Sequence, residues 1–427
     1  MKVKQIVKDS MRIFRKSKRS KAILSSGKRR VYFVSHEATR TGAPKIILNL
    51  LKQFSKKCDI QCESLLITGG HLATDFQNFS ITDCFNTQLD NQDEIKKRVA
   101  RSIAREKNNP PVLAICNSME SRYVAQELFN QGVPCVSLVH ELPSSYSEKD
   151  YQSIFESSQK VVFPAHTVRD AADAKTQLPP GRSLVLPQGL LDSEFGSGME
   201  REMARKAIRQ ELGIPENAFI VLGCGTLDLR KGIDHFGAIA RESLLKSTQD
   251  RPIHFVWVGE GPRWTHSIHH YVELDLKKTR TSSHVHFIGG RENVEPYFLG
   301  SDCFLMCSRV DPFPCVIHEA MACEVPIIAF ANSGGAPEAI DNGAGYIIPY
   351  ADYKQASSVI SMLIDEPDVR LGVVERAKQR VLTRYCFKEY SDQIIELGEQ
   401  IIGQSLRIPD LENSNGNSET IPFRKVA

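Results

Sequence analysis

Two acidic residues, one pair of cations and several glycines have the types and spacing for chemistry. The stretch Asp311-Pro-Phe-Pro-Cys-Val-Ile-His-Glu319 places two carboxylates eight residues apart. If the segment is mostly helical, they lie about 12 Å apart. Paired carboxylates that hydrolyse a glycosidic bond stand closer, at ~5–10 Å. The longer spacing suits two carboxylates accepting hydroxyl hydrogen bonds at opposite ends of one ligand, such as a sugar and a ribose. Taken alone, Glu319 also reads as an exposed helix residue and Asp311 as a helix N-terminal cap. Further on, Ser333-Gly334-Gly335-Ala336-Pro337 opens a helix at Glu338. Free N–H groups at the starts of these two helices make a site for an anion such as a diphosphate. Gly334 and Gly335 allow a close backbone approach, and Pro337 suits a first helical turn.

A second group is Gly223-Cys-Gly225-Thr-Leu-Asp-Leu-Arg230-Lys231-Gly232, between a strand and a helix. Adjacent Arg230 and Lys231 can neutralise a pyrophosphate leaving group; the plainer alternative is a surface charge pair. Gly223-x-Gly225 is not a dinucleotide fingerprint, because the third glycine and the following acid are missing. In the first half, Ser35-His36-Glu37-Ala-Thr-Arg40-Thr41-Gly42-Ala43-Pro44 links a strand to a helix, and Gly42 and Pro44 leave another helix N-terminus open. His140-Glu141 follows a strand ending at Val139, where ligands gather in open α/β sheets. A lone histidine there reads as structural or functional in equal measure. No D-x-D pair occupies a suitable loop, so no metal and no cofactor is expected.

The elements that must position these residues alternate. Val31–Ser35, Cys62–Thr68, Val112–Cys116, Val133–Val139 and Lys160–Pro164 read as buried strands. Helical periodicity runs over Pro44–Phe54, Glu94–Glu106 and Ser118–Asn130. Pro179-Pro-Gly-Arg, Leu186-Pro-Gln-Gly-Leu190 and a charged helix, Glu200–Leu212, read as a linker region. A second series follows: Ala218–Cys224, His254–Val258, Val285–Ile288, Cys303–Cys307 and Pro326–Phe330, then a last helix over Tyr385–Ile402. Repeated β-α-β with continuous apolar strands predicts parallel sheets covered on both faces.

Together these residues resemble retaining glycosyltransferase family four of the GT-B fold, over about residues 31–402, and especially the bacterial members that build surface polysaccharides. Asp311 to Glu319 matches the family's E-x7-E motif, followed by Glu319-Ala-Met-Ala and Gly334-Gly-Ala-Pro-Glu338. Arg230-Lys231-Gly232 matches its diphosphate loop, Thr41-Gly42-Ala43-Pro44 its N-terminal loop, and His140 its sugar-contacting histidine. The resemblance implies two Rossmann-like domains facing across a cleft, with a C-terminal helix crossing back. It implies that Glu319 holds the ribose, that Arg230 and Lys231 hold phosphates helped by N–H groups around Cys315 and Val316, and that Asp311 holds sugar hydroxyls. Gly225, Gly334, Gly335 and Gly42 join the donor site, and Arg230, Lys231, Asp311 and His140 form the catalytic set. Two positions depart from the family pattern: Asp311 replaces Glu, and Pro314 replaces a glycine and has no N–H to give. Both fall on the sugar side.

The implied organisation is a basic leader over 1–29, an acceptor domain over 30–187, a nucleotide-sugar domain over 188–384, a crossover helix over 385–403 and a disordered tail over 404–427. The implied activity is retaining, metal-independent transfer from a nucleotide-sugar to a glycan or polyprenyl-linked acceptor. The alternatives are a non-catalytic nucleotide-sugar-binding protein on this fold and a GT-B nucleotide-sugar epimerase.

Length suggests two or three domains, each large enough for a core. The chain has 427 residues, 41% hydrophobic and 25% charged. Its eleven cysteines contain no CxxC pair, which favours reduced thiols in a cytoplasmic protein. The net charge of +3 is unevenly spread: twelve Lys/Arg against Asp9 alone lie in residues 1–30. Val3, Ile6, Val7, Met11 and Phe14 recur at helical spacing among these cations. That reads either as an amphipathic basic helix over residues 1–20 lying on an anionic membrane surface, which would place a cytoplasmic protein at the inner face of the plasma membrane, or as a solvated, disordered leader. No aromatic-basic platform is present, which argues against nucleic acid.

Overall fold

The computed structural model describes residues 27–85, 92–191, 195, 199–261, 264 and 266–409. The expected basic helix over 1–20 and the tail beyond residue 409 lie outside the described residues. Among the described residues, thirteen strands form two parallel sheets, as expected. The first contains β1 (Arg29–Ser35), β2 (Ile60–Leu66), β3 (Ile81–Cys84), β4 (Pro111–Asn117), β5 (Cys135–Leu138), β6 (Lys160–Phe163) and β7 (Ser183–Val185). Its order is β3-β2-β1-β4-β5-β6-β7. The second contains β8 (Phe219–Cys224), β9 (Ile253–Val258), β10 (Val285–Phe287), β11 (Cys303–Met306), β12 (Ile327–Phe330) and β13 (Tyr346–Ile348), in the order β10-β9-β8-β11-β12-β13. Helices cover both faces, so central strands such as β2 and β9 are buried at every residue.

The strand order of each sheet reverses once, between β1 and β4 and between β8 and β11. Those reversals leave crevices at the carboxyl ends of the strands, where ligands bind in doubly wound sheets. Register across the second is set by Cys303 opposite Val221 and Phe304 opposite Leu222. The core beneath it contains Phe236, Phe255, Trp257, Leu305 and Phe330. The described chain groups into two compact units, one ending at Val136 and resuming at Ile395, the other running Ser137–Ile394.

Several boundaries differ from the sequence reading. Strands β3, β7 and β13 have only three or four residues, too few for a periodic signal. β7 lies inside the expected linker and pairs in parallel with β6. Residues 405–408, expected in the tail, are anchored: Leu406 is fully buried, its N–H donates to the Glu399 carboxylate at 2.6 Å, and its carbonyl accepts from Asp59 N at 2.8 Å. Arg30, counted among the N-terminal cations of residues 1–30, is buried against Glu63, with Nε–Oε1 at 2.5 Å. It therefore belongs to the core of the first sheet and not to an exposed basic patch. All eleven cysteines are free thiols.

Candidate functional site

The loop after β8 and the loop after β11 meet at the second reversal point. Lys231 Nζ forms an ion pair with Asp311 Oδ2, and Arg230 Nη1 lies 3.9 Å from Asp311 Oδ1. The side chains of Lys231 and Asp311 are 14% and 8% exposed, against 47% for Arg230. Lys231 is thus a sheltered charge with a defined partner, whereas Arg230 faces solvent. Ser308 Oγ also approaches Asp311, at 3.4 Å.

Backbone contacts fix the cation loop. Lys231 N donates to Asp228 Oδ1 at 2.7 Å. Gly232 adopts φ +77 and N-caps the helix Ile233–Leu244; a Cβ there would sit 2.0 Å from the Cys307 carbonyl. Gly225, with φ +145, lies under the Lys231 stem, 3.1 Å from Cδ to an added Cβ. Its role in the structure is to seat Lys231. The two loops are clamped by Arg309, whose guanidinium pairs with Asp234 at 2.8 and 2.5 Å and whose N–H donates to the Arg230 carbonyl at 2.8 Å.

The glycine loop after β12 serves a different purpose from the one expected. Asp311 N donates to the Ser333 carbonyl at 2.7 Å, and Gly335 N donates to the Pro312 carbonyl at 2.8 Å. A Cβ on Gly334 would stand 2.0 Å from the Asp311 carbonyl, and one on Gly335 2.3 Å from that of Pro312. These glycines let one loop lie against another, and the N–H of Gly335 is used within the protein. The helix they open, Ala336–Ala339, is a single turn. The anion site expected there is therefore not formed by Gly335.

The helix Cys315–Ala322 starts at the end of the loop after β11. Its N-cap is Pro314, which gives no side-chain cap, and its first turn has no acid. Asp311 is thus not the cap that its position allowed. The first N–H groups of a helix point out of its start, and here they belong to Cys315 and Val316. Glu319, within this helix, is only 7% exposed, so it is not the exposed helix residue that the motif alone permitted.

Comparison with known proteins agrees with this arrangement. Residues 204–380 match the family described as glycosyl transferases group 1. The chain carries a group 1 glycosyltransferase domain. With the two parallel sheets, this supports a GT-B glycosyltransferase of the family-four type. It is similar to N-acetyl-alpha-D-glucosaminyl L-malate synthase of Bacillus anthracis, 23% identical over 67% of this chain and 71% of that protein. It is similar to lipopolysaccharide glucosyltransferase WaaG of Escherichia coli, 26% identical over 58% of this chain and 65% of that protein. Among solved structures, Anabaena HepE in complex with UDP-glucose matches its fold with TM-score 0.72 and 18% identity, over 87% of this chain and 99% of that one.

The remaining expected residues of the glycosyltransferase lie in other loops. His140 follows β5, and its N–H donates to Glu141 Oε2 at 3.0 Å. Gly42 is the first residue of the helix Gly42–Lys57, whose N-cap Thr41 makes no side-chain cap. Thr41 instead donates to Glu37 Oε1 at 3.0 Å, as Thr39 does at 2.5 Å. With His36 these groups hold the Glu37 carboxyl down to about 2, the His36 contact being the strongest. Asn117, at the end of β4, donates to the Ala43 carbonyl at 2.9 Å, and Ser118 takes φ +80, a strained value for a residue with a side chain. Both lie at the first reversal point.

Sequence reasoning missed several residues around the site. Gln188, almost fully buried, donates to the Phe313 carbonyl at 3.0 Å. His318 is fully buried between Phe313 and Tyr385, with ring centroids 5.1 and 4.7 Å away. Neither of its ring nitrogens has a hydrogen-bond partner, and burial pushes its pKa down to about 3. The short apolar spacing of Phe313 and Ile317 was the one available signal that this helix is packed on nearly all sides. Among the described residues, no three His, Cys, Asp or Glu side chains converge as metal ligands, and no helix is long and apolar enough to cross a membrane.

Proposed function

We propose that this glycosyltransferase moves a sugar from a nucleotide-sugar donor, with retention at the anomeric carbon and without a metal, onto a glycan or polyprenyl-linked glycan of a surface polysaccharide such as O-antigen, capsule or exopolysaccharide. The observation that carries the reading is the meeting of Arg230, Lys231 and Asp311 at the β8/β11 reversal. An uncapped helix N-terminus begins three residues further on, after Pro314. Relatives support the donor class: HepE is solved with UDP and with UDP-glucose. They also support the pathway class, through a lipopolysaccharide glucosyltransferase and a lipopolysaccharide core glycosyltransferase.

In this reading the bond from the anomeric carbon to the phosphate oxygen breaks while one to the acceptor oxygen forms on the same face. The departing diphosphate gains negative charge, which Lys231, Arg230 and the N–H groups of Cys315 and Val316 stabilise. The acceptor's proton passes to the leaving phosphate oxygen. Lys231 arrives already oriented by Asp311, so little reorganisation is needed. Asp311 takes sugar hydroxyls, Glu319 takes the ribose hydroxyls, and His140 contacts the sugar. The shorter Asp311 and the missing N–H of Pro314 set the choice of sugar. The loop around Gly42 faces the acceptor, and the basic leader over residues 1–20 holds the protein at the inner membrane surface, where a lipid-linked acceptor is found.

A panel of nucleotide-sugars tests this by thermal stabilisation, since a ligand bound to the folded state raises the midpoint by mass action. One donor should stabilise the protein and then be consumed with a suitable acceptor in the presence of EDTA, giving a product of unchanged anomeric configuration. Binding without turnover across acceptors would point to a binding protein, and sugar inversion without acceptor to an epimerase.

A further inference from the structure

The helix His166–Thr176 cannot cap its own N-terminus: its N-cap residue is Ala165, which has no side-chain acceptor. The missing acceptor comes from Glu338, more than 170 residues away in sequence. Glu338 Oε1 accepts from His166 N at 3.2 Å, and Oε2 accepts from Thr167 N at 3.3 Å and from Thr167 Oγ1 at 3.5 Å. A carboxylate is the preferred charge at a helix N-terminus.

Glu338 is placed by the loop that also holds Asp311. Three residues before it, Gly335 donates to the carbonyls of Pro312 and Asp311, at 2.8 and 3.2 Å. The same glycine lies against the capped helix, 3.0 Å from an added Cβ to the Ala165 Cβ. Gly334 pairs with Asp311 in a parallel bridge. On its other side, the Glu338 carbonyl accepts from Arg380 Nη2 at 3.0 Å. One short segment, residues 333–338, therefore touches the capped helix end, the Asp311 backbone and Arg380.

We propose that Glu338 is a positioning residue: by seating the N-terminus of His166–Thr176 it holds the loop 333–335 against Asp311, and so keeps Lys231 in register for a diphosphate. The diphosphate part rests on the function proposed above; the mechanical link between Glu338 and Asp311 does not.

The test separates this link from simple helix capping. In E338A the cap is lost. In A165S/E338A a serine at the N-cap replaces it locally, because Ala165 already has the extended backbone of an N-cap. Hydrogen exchange of the full chain is followed in peptides covering 165–170, 309–316 and 333–340. Glu338→Ala should speed exchange about tenfold in all three, the size of a lost N-cap interaction. Adding Ala165→Ser should restore 165–170 alone, and E338Q, which keeps one acceptor oxygen and turns the other position into a donor, should fall between. Unchanged exchange at 309–316 in E338A, or its repair by Ala165→Ser, overturns the proposal; if E338A does not fold, E338Q decides it by the same comparison. Titration with UDP is run in parallel, and weaker binding by E338A and by the double variant is expected. A wild-type chain that binds no nucleoside diphosphate would sink the proposed function, while the exchange data still decide the link.

Discussion

Lys231 and Asp311 form an ion pair across the gap between the loops that follow β8 and β11, although eighty positions separate them in sequence. Both side chains are largely sheltered from water. A sheltered pair adds little net stability, because desolvation offsets the attraction, but removing one partner leaves a costly unpaired charge. The pair is better understood as a way to hold a cation ready for a second anion.

The first prediction concerns that exchange of partners. Asp311→Ala should lower stability by roughly 2–4 kcal/mol, as expected when a mostly buried ion pair loses one member. UDP should recover part of that loss, since its phosphates give Lys231 a new partner. Chemical denaturation with and without UDP measures both. A deficit unchanged by saturating UDP would separate Lys231 from phosphate binding.

Removing the cations should slow transfer in addition to the stability lost when Asp311 is left without its partner. R230A/K231A should slow transfer by about a hundredfold or more, the scale of losing a group that stabilises developing charge. Full activity in that double variant, measured where it remains folded, would sink the assignment of these residues.

Gly334→Ala should be among the most damaging single changes. The position has φ +122, and the new methyl group would meet the Asp311 carbonyl at 2.0 Å. A loss of at least ~2 kcal/mol is expected from strain and displacement together. At Gly225 the obstructing atoms belong to the flexible Lys231 stem. Gly225→Ala should therefore cost less stability and more UDP affinity, which calorimetry and melting together distinguish.

His318 predicts a pH dependence. Its folded pKa is near 3, lowered by burial, against 6.5 ordinarily. Below pH 6.5 the unfolded chain binds a proton that the folded chain refuses, so stability falls as pH drops from 6.5 toward 3. His318→Leu should remove that component of the slope. At pH 7 it should be neutral or stabilising, because the imidazole N–H is buried without an acceptor. Urea midpoints from pH 7 to pH 4 check this; parallel curves for the two proteins would refute it.

Deleting residues 1–20 should abolish binding to vesicles containing anionic lipid and leave binding to neutral vesicles unchanged. Co-sedimentation reads this directly, and equal binding by the truncated protein would refute the role given to the leader.

The sequence by itself determined the class of this protein. Continuous short apolar runs such as Val31–Ser35 and His254–Val258 read as strands buried on both faces, and their alternation with helical periodicity points to parallel sheets. Loop chemistry was equally legible: Arg230-Lys231-Gly232 and Asp311 to Glu319 lie at strand ends, and their order along the chain carried the resemblance to family four. Local patterns encode such features, because period and turn residues act over a few positions.

Tertiary structure alone decided which loops touch. Nothing near Asp311 announces Lys231 as its partner, and nothing near Ala165 announces Glu338. Glycines 334 and 335 looked like places for a ligand to approach, and they are places where the Asp311 and Pro312 carbonyls approach instead. His318 carries no local mark of lying between Phe313 and Tyr385. The physical reason is the same each time. A short-range steric or hydrogen-bonding demand leaves its trace in residue type, but the identity of the group that meets it depends on strand order and loop packing, which bring distant segments together.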